Sequence, residues 1–121
     1  MRPDLAELVE TLSEDDLNQL PFGLIQLDRG GKVLRFNQAE SRLARYDRKA
    51  AIGANFFDDV APCAKVKEFH GKFIQAVEEK NLHEVFPYVF RFKNGQEISV
   101  NVTMFYSQRT ETVWLQIDRQ T

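Results

Sequence analysis

The chain reads as an α+β domain, a five-stranded antiparallel sheet with helices on one face and a helical cap at the N-terminus. Three observations predict it. Residues 23–28, 32–36, 84–92, 96–106 and 112–118 are short apolar and β-branched runs bounded by turn residues, and each reads as a strand. Helical spacings and caps fill the stretch between the second and third runs. Two strands, then helices, then three strands is an α+β order, and no internal repeat or linker interrupts it.

Composition narrows the class. A length of 121 residues suits one domain with a real core. The 43% hydrophobic and 28% charged content is ordinary for a globular protein. A net charge of −2, with no basic face, argues against a nucleic-acid surface. One cysteine makes no internal disulfide, so nothing suggests a secreted scaffold. Asp4, Glu7 and Glu10 break up the N-terminal apolar residues, which excludes a signal peptide and a membrane span there. The expected location is the cytoplasm. Ten phenylalanines are enough to line a large aromatic core or pocket.

In chain order, residues 4–12 place Leu5, Leu8, Val9 and Leu12 on one stripe. Ser13 with Glu14, Asp15 and Asp16 reads as a helix cap with an acidic first turn, and Leu17 and Leu20 continue the apolar face up to Pro21. Helices this short bury little alone, so residues 1–20 are expected to be a cap packed on the main domain, residues 21–121.

Residues 23–28 and 32–36 form a hairpin across Arg29-Gly30-Gly31. Asn37 caps a helix over 38–44, Asp47 caps a second over 48–52, and Gly53 closes it. The longest helix is expected over 67–80, with Phe69, Phe73, Ile74 and Val77 on its apolar face and Asn81 as its stop. Pro87 suggests that the strand 84–92 lies at a sheet edge or carries a bulge near its start, and Lys93-Asn94-Gly95 turns. In 96–106, Ile98, Val100, Val102 and Met104 alternate with polar residues, and Val113, Leu115 and Ile117 share one face of the last strand.

Between the short helices and the long one lies Asn55-Phe56-Phe57-Asp58-Asp59-Val60-Ala61-Pro62-Cys63. Phe56, Phe57 and Val60 suit a brief helix that buries all three. The chain must leave it before Pro62, which fixes the direction of Cys63. Such a thiol suits a covalent anchor, but an unpaired cysteine is more often an inert, buried packing residue.

The runs Phe22-Gly23-Leu24-Ile25-Gln26-Leu27-Asp28, Phe36-Asn37-Gln38-Ala39-Glu40, 52–63 and Glu68-Phe69-His70-Gly71-Lys72-Phe73 closely resemble the photoactive yellow protein family of PAS-domain blue-light receptors. The likeness covers about residues 20–92 and fades in the last two strands. It implies a PAS fold and 4-hydroxycinnamic acid (p-coumaric acid) held covalently as a thioester on Cys63, with trans–cis photoisomerisation. Glu40 matches the family's buried acid at the phenolate. Residues counted with the chromophore site are Phe36, Glu40, Ala44, Arg45, Tyr46, Phe56, Val60, Ala61, Pro62, Cys63 and Phe90.

Burial among Phe36, Phe56 and Phe90 favours a neutral Glu40. Read without the resemblance, Glu40 is an exposed residue of a largely polar helix. The sequence departs from the family pattern in several places. Phe36 stands where a tyrosine donor is usual, and Ala44 replaces that tyrosine's supporting threonine. Tyr46 takes the place of an arginine, Arg45 that of a glycine, and the loop at Asn94-Gly95 is shortened.

Other chemistries find less support. Arg29-Gly30-Gly31 is a hairpin turn and no phosphate loop. Cys63 has no histidine partner identifiable in sequence for nucleophilic catalysis. The flavin-binding pattern Asn-Cys-Arg-Phe is absent, and His70 and His83 are weak haem candidates. Asp58 and Asp59 suit a helix cap better than a metal site. The expectation is a light sensor rather than an enzyme, a monomer or weak dimer acting on an unknown downstream signalling protein. The alternative is a chromophore-free PAS interaction module or small-ligand sensor.

Overall fold

The computed structural model describes residues 11–91 and 95–119. Most of the expected helix over 4–12, together with Phe92 and the Lys93-Asn94 part of the turn, lies outside the described residues.

Ser13 opens helix α1 (Glu14–Gln19) with a reciprocal cap: its hydroxyl accepts from the Asp16 N–H at 3.1 Å, and Asp16 Oδ2 accepts from the Ser13 N–H at 3.4 Å. Strands β1 (Gly23–Leu27) and β2 (Val33–Phe36) follow as the hairpin, turned by Asp28 Oδ1 accepting from the Gly30 and Lys32 N–H groups, both at 2.9 Å. Helices α2 (Gln38–Ala44) and α3 (Arg48–Ala51) start from Asn37 and Asp47. Gly53, at φ +92, follows the end of α3. That left-handed turn is one glycine takes without strain.

Helix α4 (Lys72–Glu79) precedes strands β3 (His83–Arg91), β4 (Glu97–Ser107) and β5 (Thr112–Arg119). The five strands order as β2-β1-β5-β4-β3, every neighbour antiparallel. β3 is an edge strand, where Pro87 leaves no ladder bond missing from the sheet interior.

The sheet has two covered faces. The helical face holds the main core, from Ile25 and Leu27 through Phe69 and Phe73 to Leu115 and Ile117. On the opposite face Leu17 of α1 packs with Leu24, Phe105 and Trp114. This second cover explains why the inside–outside alternation of β4 stops at Phe105, Tyr106 and Ser107, all buried.

Three local expectations need correction. The brief helix expected around Phe56 does bury Phe56, Phe57 and Val60, but it is wound as a wider π-type turn, Phe56–Val60, with Ala61 N–H donating to the Phe56 carbonyl at 2.8 Å. The long helix begins as another π-type turn, Lys67–Gly71, and it ends at Lys80 in a left-handed conformation (φ 53) rather than at Asn81. Its inner face is Phe69, Phe73 and Ala76, while Ile74 is 42% exposed. At 100° per residue Ile74 lies well off the stripe through Phe69, whereas Ala76 falls back onto it.

Candidate functional site

Asn37 is the joint on which the site is built. Its Oδ1 accepts from the Glu40 N–H at 3.1 Å and the Leu24 N–H at 2.9 Å. Its Nδ2 donates to the carbonyls of Leu17 at 2.9 Å and Phe22 at 3.0 Å. One side chain therefore caps α2, ties it to β1 and holds α1 over both. This places Glu40 in the first turn of α2, against the sheet.

Glu40 is 2% exposed, so it is no solvated helix residue. Burial pushes its pKa up to about 8, which keeps it protonated and neutral at pH 7. Oε2 is buried without a hydrogen-bond partner among the described residues. A buried polar atom left unpaired costs about 1–3 kcal/mol. Such an atom fits a polar group of a bound ligand.

Phe36, Phe56, Val60, Ala61 and Phe90 are buried in the same apolar cluster, and Ala44, Tyr46 and Cys63 are partly buried against it. Pro62 and Arg45 are exposed. Arg45 adopts a left-handed φ of 52° at the end of α2, a conformation glycine takes without strain. Ser41 Oγ donates to the Tyr46 carbonyl at 2.7 Å and so fixes the chain just beyond it.

Cys63 sits in the middle of a tight turn, Pro62–Ala64, as a free, partly buried thiol. Its carbonyl accepts from the Tyr88 hydroxyl at 2.6 Å. Burial raises the pKa of Tyr88, so the phenol keeps its proton and donates. Cys63 and Tyr88 border a surface groove of about 510 Å³ that also involves Val66, Glu68 and Arg91. Phe69, fully buried, joins the two sides: its ring centroid lies 5.9 Å from Phe56, 5.1 Å from Tyr88 and 6.0 Å from Phe90. Asp59 Oδ2 accepts from the Asn55 N–H at 3.0 Å, the capping role expected of this acidic pair, and Lys65 pairs with Asp58 at 2.7 Å.

Tyr88 and Gly23 were not legible as site residues in the sequence. Alternation along β3 puts Tyr88 on one side with Phe86 and Phe90, which is its only signal. Gly23 lies directly beneath the Glu40 carboxyl group.

The family model of the PAS fold matches residues 7–117. A photoactive yellow protein from Halochromatium salexigens is 42% identical over 116 residues, 96% of this chain and 92% of that protein. The chain belongs to the photoactive yellow protein family. A second photoactive yellow protein, from Cereibacter sphaeroides, is 38% identical over 100 residues, 83% of this chain and 80% of that protein. The crystal structure of the photoactive yellow protein domain of the sensor histidine kinase Ppr from Rhodospirillum centenum superimposes with a TM-score of 0.87. That domain is 30% identical, and the match covers 93% of this chain and 98% of that one. The photoactive yellow protein fold thus extends through β4 and β5, where the sequence motifs fade.

Proposed function

We propose that this protein is a blue-light sensor carrying 4-hydroxycinnamic acid as a thioester on Cys63. The observation that carries the reading is Glu40: a neutral, buried acid whose Oε2 has no hydrogen-bond partner among the described residues, in a chain with a single cysteine. These residues fit an acyl-linked phenol. Cys63 supplies the sulfur for the acyl bond, and Glu40 holds a proton to offer at the phenolic oxygen. When bound, the group supplies light absorption and trans–cis isomerisation.

The remaining roles belong to the chain. Tyr88 holds the carbonyl of Cys63, and thereby the turn that aims the thiol. Phe56, Phe90, Val60 and Ala61 form the surroundings that keep water out, Pro62 stiffens the turn that carries Cys63, and Tyr46 and Arg45 stand at the end of α2. Phe36 and Ala44 contribute no hydroxyl. Loss of the Glu40 proton would leave a buried carboxylate, which a dry interior disfavours strongly. Asn37 links α2 to α1, so residues 1–20 are the cap that responds and 21–121 the PAS sensor domain. The sensor acts on a downstream signalling protein, as a monomer or weak dimer in the cytoplasm, and is no enzyme.

Reconstitution with activated p-coumaric acid tests this. The protein should gain the mass of one coumaroyl group, and Cys63→Ser should gain none. An unmodified mass, under conditions that load a relative, overturns it. Phe36 and Ala44 favour a second reading, a PAS interaction module or small-ligand sensor without chromophore, which stays colourless in the same experiment.

A further inference from the structure

Gly23 occupies a position where any residue would satisfy the backbone. It pairs in register with Ile117 of β5, and its φ is not left-handed. Glycine inside a strand is a weakening choice, and it often marks a close approach by another group. Here the approaching group is Glu40. A Cβ placed on Gly23 meets Glu40 before anything else: Oε2 in direct overlap, Cδ at 3.1 Å and Cβ at 3.2 Å.

The helix cannot simply back away. Asn37 Oδ1 bonds the N–H of Glu40 and that of Leu24, the residue next to Gly23. A side chain at position 23 must therefore be accommodated by rotation of Glu40. A groove of about 460 Å³ borders Gly23, Ala39 and Leu43, with Arg42, Asp118 and Arg119 on its walls, and offers the displaced carboxyl a way to solvent. The other charged groups on an element packed against α2 are Glu14, Asp15 and Asp16 of α1. Burial is the cause of the raised affinity of Glu40 for its proton, so exposure would remove it.

We infer that Gly23 is a positioning residue whose missing side chain is the seat that keeps the Glu40 carboxyl group inside the protein. This deepens the reading of Glu40 as the acid serving a bound phenol, and rests on that reading only for its consequence in colour. The seat itself is tested in unloaded protein, so failure of Cys63 to take the chromophore would leave the test intact.

The experiment is infrared spectroscopy of the full chain without chromophore, following the carboxylic C=O band that Glu40→Gln removes. The parent should keep this band at neutral pH and lose it near pH 8. In Gly23→Ala the midpoint should fall by at least about one pH unit. A folded Gly23→Ala protein with the parent's band and midpoint overturns the inference, as does a parent without the band. If Gly23→Ala does not fold, Gly23→Ala/Glu40→Ala decides. Recovery of the fold shows that the clash is with Glu40, and a double variant that stays unfolded refutes the seat.

Discussion

At the scale of single residues, the exchange of one donor should be visible as colour. Phe36 is buried in the core and brings no hydroxyl to the proposed phenolic site. A hydrogen bond to a charged group contributes about 1.5–3 kcal/mol, equivalent to about one to two pKa units. The reconstituted protein is therefore expected to show two dark-state bands near neutral pH, from phenolate and phenol. Phe36→Tyr should lower the midpoint between them. A single phenolate band down to acidic pH, unmoved by Tyr46→Phe, would refute the donor count. Tyr88 gives a second residue-scale test. Tyr88→Phe removes the 2.6 Å bond to the Cys63 carbonyl and should cost about 1 kcal/mol in urea denaturation, with slower loading of Cys63. Unchanged stability and loading would show that the turn holds itself.

At the scale of elements, we propose that residues 1–20 act as a cap that comes away before the core opens. Within its described part, Leu17 is the buried anchor, joined by the Asn37 bond to its carbonyl. Glu14 bridges Arg48 at 3.1 Å and Arg35 at 3.7 Å, and Arg35 also donates to the Leu12 carbonyl at 3.2 Å. Surface pairs of this kind are weak and salt-screened, so opening here should precede loss of the core. Trp114, the one tryptophan, lies fully buried under the cap and reports on it. Deleting residues 1–20 should red-shift its fluorescence while the far-ultraviolet circular dichroism of the sheet persists. Global unfolding of the truncated chain would show that the cap is part of the core.

For the molecule as a whole, Glu40 sets a pH dependence. Its pKa rises from 4.5 to about 8 on folding, so between those values the folded state binds more protons than the unfolded. Stability should fall as pH rises through this window, by an amount on the order of a few kcal/mol, and level off above it. Glu40→Gln carries no such proton, and its stability should be nearly flat over the same range. Parallel urea titrations of the two proteins between pH 5 and pH 9 make the comparison. An equal slope in both would place the titration elsewhere.

The sequence by itself determined the strands and the caps, and narrowed Pro87 to an edge or a bulge, which the sheet order resolved as an edge. Asn37, Asp47 and Ser13 act on their own first turns, Pro87 blocks a central strand, and alternation marks the inner face of β4; each signal is local and needs only neighbours along the chain. The family string likewise brought Cys63 and Glu40 to attention. What only the tertiary structure decided is which groups lose their water. Glu40 sits on a largely polar helix and reads as solvated; it is buried because α2 lies on β1 and Gly23 leaves room beneath it. Tyr88 reaches the Cys63 carbonyl from 25 residues away, across the edge of the sheet. Ile74 is exposed where the apolar face was expected, Ala76 is buried, and Trp114 is covered on the face opposite the main core. Burial and the hydrogen bonds it demands depend on contacts between distant segments, and periodicity within a segment does not encode them.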